Sequence, residues 1–256
     1  MPASLFSMLP SELICRVFES ATDFSTVVAL AQTARVFYDT WREYPTAICR
    51  AVIPHAILNL DDAQQLLDMQ QEAEATSEME CDQKQKSIVR AKRLLSNARC
   101  ASAASKEWVH NSRFGAYFER EVRPREIARF EHAFYCVWAI GIMGTTPHLQ
   151  HEASAFLDNC SPRELCRLEE QAQFSYAYDK EFFESLGLAF NGEVWECARD
   201  LVPERWQEVG RNRWWGSMRV PMRTTFVGFY AFYDETQQYL ERIPDEVDST
   251  FWDRTD

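Results

Sequence analysis

The sequence predicts an all-α protein, and three observations support this fold class. The 256 residues include only eight glycines, and the Asn-Gly and Asp-Gly pairs that form tight β-hairpins are scarce. Apolar residues recur at helical spacing over long stretches of the chain. Hydrophobic residues make up 46% of the sequence and aromatic residues 13%, which is enough for a packed core. We therefore expect a globular helical chain in which strands are minor.

The first helix is predicted close to the N-terminus, where the chain reads Leu9-Pro10-Ser11-Glu12-Leu13. Pro10 suits a first helical turn because its missing N–H has no helical partner there in any case. Glu12 lies near the positive end of the helix dipole. One apolar face is then formed by Leu13, Ile14, Val17 and Phe18.

Two further short helices are predicted before residue 45. Asp23 is placed to cap the second helix, and the third helix carries Val36, Phe37 and Trp41. Thirteen large apolar residues lie between Leu9 and Trp41, more than a unit of this size buries in its own core. Part of this set is expected to contact a partner protein or the remaining chain, whereas three residues of the second helix are assigned to the internal core: Phe24, Val27 and Val28.

These three short helices with a Leu-Pro start resemble an F-box. The resemblance covers about 35 to 45 residues, and the residues Trp41–Cys49 and Arg129–Tyr135 look like segments that follow the F-box in proteins of filamentous fungi. It departs from the family pattern at Ala21 and Ala34, where many members carry a leucine and a cysteine.

The resemblance implies a substrate-recruiting subunit of a Skp-cullin-F-box ubiquitin ligase. Such a subunit binds the Skp adaptor and, through it, cullin, and it delivers a protein substrate for ubiquitin-dependent degradation. The positions that the resemblance assigns to the Skp-facing surface are Leu9, Pro10, Leu13, Ile14, Val17, Phe18, Val36 and Phe37. The alternative is a helical hairpin that packs on the rest of the chain.

The sequence divides into three parts. The F-box-like domain is predicted at residues 1–54 and ends with a short helix bracketed by Pro45 and Pro54. Residues 55–86 read as a helix and an acidic linker, and residues 87–256 read as an irregular helical domain that holds cargo or acts as a scaffold.

Several starts and faces are predicted for the helices of the third part. Ile88, Ala91, Leu95 and Ala98 are spaced for one face of its first helix. Pro124 opens a central core helix whose strip of side chains comprises Ile127, Phe130, Phe134, Val137, Trp138 and Gly141. Thr146-Pro147 and Ser161-Pro162-Arg163-Glu164 place a capping hydroxyl before a first-turn proline, and the second completes a Ser-x-x-Glu capping box. A last apolar face runs from Phe226 to Leu240.

The segment at residues 211–219 has the most unusual composition outside the F-box-like part. Arginine, tryptophan and methionine are enriched at interface hot spots, so Arg211, Arg213, Trp214 and Trp215 are the candidates for cargo binding. The alternative is a connecting loop whose tryptophans fill the core.

Composition bounds the remaining functions. The net charge of −12 disfavours nucleic-acid binding, which needs clustered positive charges. The charge is unevenly distributed: residues 61–86 hold eight acids against two lysines, and residues 87–130 hold ten basic residues against four acids. We expect these two blocks to pair with each other. The longest apolar run is shorter than the roughly 20 residues of a membrane span. We expect a protein of the cytoplasm, the nucleus or both.

No enzymatic chemistry is predicted. The eight cysteines form no Cys-x-x-Cys pair, and no Gly-x-Ser-x-Gly elbow or phosphate loop is present. His148 and His151 lack the spacing of a zinc protease and read as an exposed first turn, so neither a metal nor a cofactor is expected. Two rivals to the ligase subunit remain: a helical interaction scaffold that acts outside any ubiquitin ligase, and an enzyme of unknown class within residues 87–256.

Overall fold

The computed structural model describes residues 9–74, 83–114, 121–174, 180–186, 191–210 and 232–234. Every regular element in these ranges is a helix, which confirms the all-α prediction. In chain order the helices are α1 (Ser11–Glu19), α2 (Phe24–Thr33), α3 (Arg35–Glu43), α4 (Pro45–Ala56), α5 (Leu60–Glu74), α6 (Gln83–Phe114), α7 (Pro124–Thr145), α8 (Gln150–Asn159), α9 (Pro162–Phe174), α10 (Lys180–Ser185) and α11 (Gly192–Gly210).

The chain forms two compact units. Unit 1 comprises Met1–Gln64 and Glu78–Ala98, and unit 2 comprises Gln65–Ser77 and Arg99–Asp256. This division falls inside α5 and α6 rather than at residues 54 and 86, the limits predicted from the sequence.

The core of unit 1 draws on four helices, α1 to α4, rather than on the three of the predicted F-box-like part. Phe18 lies at its centre, with its ring centroid 5.8 Å from that of Phe37 in an edge-to-face contact. The ring centroid of Trp41 lies 6.4 Å from that of Phe18. The buried members of this core are Ile14, Phe18, Ala21, Val27, Phe37, Ile48 and Val52.

Local chemistry explains where the helices of unit 1 begin and end. The backbone N–H of Thr26 donates to Asp23 Oδ1 at 2.8 Å, so the predicted cap of α2 is confirmed. Pro54, in contrast, does not end α4, which continues to Ala56. Its ring removes one backbone donor, but the N–H of Ile57 still donates to the carbonyl of Ile53 at 3.1 Å.

Helix α7 is the central core helix of unit 2, as the sequence predicts. Of the predicted strip, Phe130, Phe134, Val137 and Gly141 are buried, whereas Ile127 and Trp138 are half-buried. The opposite side of the helix is also covered between Ala133 and Met143, because α7 packs against α8, α9 and α11.

Aromatic rings connect α7 to its neighbours. Trp108 of α6 stacks on Phe130 with 4.9 Å between centroids, and Trp195 of α11 lies 5.4 Å from Phe134. Unit 2 is therefore built around two aromatic clusters along one helix, one at Phe130 and one at Phe134.

The starts of the helices that follow α7 agree with the sequence in one case of two. Ser161 and Glu164 form the predicted capping box, in which the Ser161 N–H donates to Glu164 Oε2 at 2.8 Å and the Glu164 N–H donates to Ser161 Oγ at 3.3 Å. The prediction of a helix start at Thr146 is wrong. Its hydroxyl donates back to the Ile142 carbonyl at 2.7 Å and so finishes α7, while α8 begins at Gln150.

The buried face of α6 differs from the predicted one. Ile88, Ala91, Leu95 and Ala98 are half-buried, whereas the covered positions are Leu94, Asn97, Cys100, Ala101, Ala104, Ser105 and Trp108. The acidic stretch at residues 70–86 is helical up to Glu74 and again from Gln83, and its residues 75–82 lie outside the described part of the chain.

A glycine sets the distance between α7 and α11. A Cβ atom on Gly141 would lie 2.1 Å from the carbonyl oxygen of Val194, whereas a Cβ atom on Gly144 would meet only side chains, Cys197 and Leu201. The backbone of α11 cannot move away from position 141 without disturbing the packing around it. We expect Gly141→Ala to lower the free energy of unfolding by about 1–3 kcal/mol through overpacking, despite the better helix propensity of alanine.

Gly144→Ala is the matched control for this prediction, because flexible side chains can move aside there and the propensity gain of up to about 1 kcal/mol opposes the crowding. Urea denaturation of both variants measures the difference. Equal stabilities would contradict the close approach at Gly141.

A carboxyl group on α9 provides a pH-dependent test of unit 2. Burial raises the pKa of Glu169 to about 7, although its hydrogen bond with Gln173 opposes the shift. In the unfolded chain the pKa of a glutamate is about 4, so the folded state binds the proton more tightly than the unfolded state. The stability contributed by Glu169 is therefore greatest below about pH 4 and falls as the pH rises from about 4 to about 7.

Glu169→Gln removes this titration. We expect the variant to match the wild type near pH 4 and to become more stable than the wild type between pH 5 and 8, as thermal melts across that range would measure. A difference that does not change with pH would contradict the burial of the carboxyl group.

Candidate protein-interaction surface

Helix α1 carries large apolar side chains on two faces. Ile14 and Phe18 are fully buried in the core of unit 1. Leu13 and Val17 lie on another face and Leu13 is 51% exposed, while Leu9, two residues before the helix begins, is exposed as well. We call these three residues the apolar stripe. The helix therefore has one apolar face for its own core and a second one in solvent.

Backbone contacts hold the stripe in a defined position. The carbonyl of Pro10 accepts the N–H groups of Leu13 and Ile14 at 3.0 and 3.2 Å, so the helix starts firmly at the Leu-Pro pair. At the other end the Ser20 hydroxyl donates to the Val17 carbonyl at 2.7 Å. Because α1 also packs against α3 and α4, the stripe is presented by a fixed helix.

The residues next to the stripe are mostly acidic. Burial raises the pKa of the Cys15 thiol, and the carboxylates of Glu19, Glu12 and Glu43 raise it further. Arg16 supplies the opposite charge and forms an ion pair with Glu19 at 3.1 Å. An apolar centre beside charged side chains is the usual arrangement of a protein-protein interface.

The structure divides the eight predicted Skp-facing positions between the surface and the core. Leu9, Pro10, Leu13 and Val17 are exposed, and Val36 is half-buried. The remaining three are buried: Ile14, Phe18 and Phe37. These three are corrected to core positions, because side chains covered by α1, α3 and α4 offer no surface to a partner while the unit stays folded.

Two exposed residues of α2 and α3 were not singled out for the surface. Val28, which the sequence analysis assigned to the core with Phe24 and Val27, is 52% exposed, and Tyr38 is also exposed. Adjacent residues of a helix point about 100° apart, and in α2 the core covers Val27 while Val28 faces solvent. The cap at Asp23 fixes where α2 begins, and hydrogen bonds from the Ser25 hydroxyl and the Thr26 N–H lower the pKa of Asp23 to about 2.

The other predicted sites receive no further support. Arg211, Arg213, Trp214 and Trp215 lie outside the described residues, so their role in cargo binding stays a prediction. Of the apolar face predicted from Phe226 to Leu240 the structure describes Tyr233, which is buried, and the face as a whole stays a prediction. His148 lies in the turn before α8, His151 lies in its first turn, and both are exposed.

Of the seven cysteines in the described part of the chain, Cys100, Cys136 and Cys166 are buried and the other four are half-buried. Burial raises the pKa of Cys100 and Cys160 to about 12, with small additional effects from neighbouring groups at Cys160. The structure brings Cys136 Sγ within 3.8 Å of His132 Nε2, a pair that the sequence did not single out. Cys136 is buried in α7, where a cysteine packs like a small apolar side chain.

Comparison of the chain with protein-family models, with curated proteins and with solved structures found no match. Within the described residues no helix is both long enough and apolar enough to cross a membrane.

Proposed function

We propose that this chain is a substrate-recruiting F-box subunit of a Skp-cullin-F-box ubiquitin ligase and that it binds the Skp adaptor through unit 1. The observation that carries the proposal is the exposed apolar stripe, which begins at Leu9 of the Leu-Pro pair and continues on α1 with Leu13 and Val17. The proposal places the protein in the cytoplasm, the nucleus or both.

The stripe has the geometry of a helix that docks into a groove. Leu13 and Val17, at positions i and i+4, lie on one face of α1, and apolar grooves bind such anchors. Full burial of a leucine or valine side chain contributes roughly 1.5–3 kcal/mol. Leu13 is half-exposed and Leu9 and Val17 somewhat less, so each still has apolar surface to bury in a partner.

The proposed mechanism is proximity, and the chain supplies binding energy and geometry. An adaptor that holds the substrate next to the ubiquitin-loaded enzyme turns a bimolecular encounter into a nearly intramolecular one. The substrate is an unidentified protein, which the C-terminal helical region is proposed to hold. No residue of the chain is proposed to act in catalysis, and no cofactor is required.

A titration of purified Skp adaptor against the full chain tests the proposal. The variant Leu13→Ala/Val17→Ala removes two stripe residues without touching the core. The matched control is Leu58→Ala, because Leu58 is 50% exposed and lies in the turn after α4. We expect micromolar or tighter binding by the wild type, a loss of at least about 10-fold in the double variant, and less than about 2-fold in the control.

Far-UV circular dichroism confirms that the variants remain folded. Binding that is equally strong in the double variant, or equally weak in all three proteins, would refute docking through the stripe. Addition of cullin then separates the ligase subunit from the rival scaffold, since only the ligase subunit forms a complex that contains chain, Skp adaptor and cullin together.

A further inference from the structure

Three arginines of α7 surround one carboxylate from a distant part of unit 2. The Oδ2 atom of Asp234 lies 2.7 Å from Arg123 Nη1 and 2.6 Å from Arg125 Nη2, and its Oδ1 atom lies 2.6 Å from Arg129 Nη2. These partners are 105 to 111 residues away from Asp234 along the chain. Three arginines of the basic block at residues 87–130 therefore form ion pairs with Asp234, a partner that the sequence pattern does not indicate.

The same contact also holds the backbone of the segment Phe232–Asp234. Arg129 Nε donates to the Phe232 carbonyl at 2.9 Å, and the Asp234 N–H donates to Glu126 Oε1 at 2.8 Å. Glu126 accepts the Arg123 N–H through its other oxygen at 2.7 Å, which keeps its carboxylate oriented. The Phe232 carbonyl and the Asp234 N–H therefore each have a hydrogen-bond partner on α7.

The two aromatic residues of the segment are seated among rings of unit 2. Phe232 is fully buried and lies 5.4 Å from Phe130 and 5.9 Å from Trp108. Tyr233 lies 5.5 Å from Trp108. We call the surface formed by Trp108, Arg123, Arg125, Glu126, Arg129 and Phe130 the peptide seat.

The arginines of the seat favour the ionised form of Asp234. Although burial alone raises the pKa of Asp234, hydrogen bonds from Arg129, Arg123 and Arg125 outweigh it and hold the pKa well below its usual range, so the carboxylate is ionised at neutral pH. Three guanidinium groups contact the Asp234 carboxylate beside Glu126, and this arrangement favours an acidic residue at the place of Asp234.

We propose that the peptide seat is a recognition site for acidic protein segments of the order aromatic, aromatic, acid, and that residues 232–234 occupy it in cis. The seat contacts the segment through its side-chain charge, its backbone hydrogen-bonding groups and its aromatic rings, which are the contacts that bind short peptides. A partner segment of the same chemistry competes with the chain's own residues. The inference does not depend on the docking of unit 1.

Tethering explains how such a site stays closed. A segment joined to the same chain has an effective concentration in about the millimolar range. A peptide in trans that binds the open seat with micromolar affinity therefore appears much weaker when the wild-type segment is in place. A substitution that weakens the binding of residues 232–234 to the seat should therefore raise the apparent affinity for a peptide added in trans.

The test uses the full chain and a fluorescent peptide with the sequence of residues 229–237, FYAFYDETQ. Asp234→Asn in the protein keeps the shape of the segment and removes its charge. We expect the peptide to bind this variant at least about 10-fold more tightly than the wild type, as measured by fluorescence anisotropy. Arg129→Ala added to this variant should abolish the gain, and a peptide with alanine in place of its aspartate should not bind.

A second protein variant guards against loss of folding. Arg125 is exposed, so Asp234→Asn/Arg125→Ala should keep its circular dichroism spectrum and still lose several-fold in peptide affinity. The proposal is overturned if the peptide binds the wild type and Asp234→Asn equally, if binding ignores the peptide's aspartate, or if no folded variant binds the peptide. In each of these cases the contact is only a structural anchor for the segment.

Discussion

Helix α1 has more apolar surface than unit 1 can bury, and the proposed function depends on this constraint. A helix of nine residues turns only one side toward its own core, and in α1 that side is filled by Ile14 and Phe18. Leu9, Leu13 and Val17 are left on the outside. The contacts of Phe18 with Phe37 and Trp41 fix the rotation of the helix, so the same packing that forms the core also sets the direction of the stripe.

In unit 2, by contrast, the apolar residues of the central helix are mostly buried. Helix α7 is covered along most of its length, and Gly141 allows α11 to approach it closely. At the start of the same helix the arginines and Glu126 hold Phe232–Asp234, while Phe130 provides the ring against which Phe232 packs. One helix thus supplies both the core of the unit and the charged groups of the peptide seat.

The parts of the fold that depend on local chemistry could be predicted from the sequence. The cap at Asp23, the capping box at Ser161 and Glu164, and the buried strip of α7 each follow from residues a few positions apart. Thr146 was misassigned because a hydroxyl between two helices can bond to either one, and here it bonds back to Ile142.

The candidate surfaces were less accessible to sequence reasoning. The apolar pattern of α1 identified the residues of the stripe, but it could not separate Leu13 from Ile14, because adjacent apolar residues satisfy the same pattern until the packing of α3 and α4 fixes the rotation of the helix. The pairing of Asp234 with Arg129 joins residues 105 positions apart, and no local signal indicates such a contact.

Site-specific photo-crosslinking tests the central claim most directly, because it asks what covers the stripe. A photoreactive phenylalanine analogue is placed at position 13 of the full chain, and at position 58 in a separate protein as the control. If α1 docks on the Skp adaptor, position 13 forms a crosslink to the adaptor and position 58 does not. Equal crosslinks from both positions, or crosslinks from position 13 only to a second copy of the chain, would contradict the account.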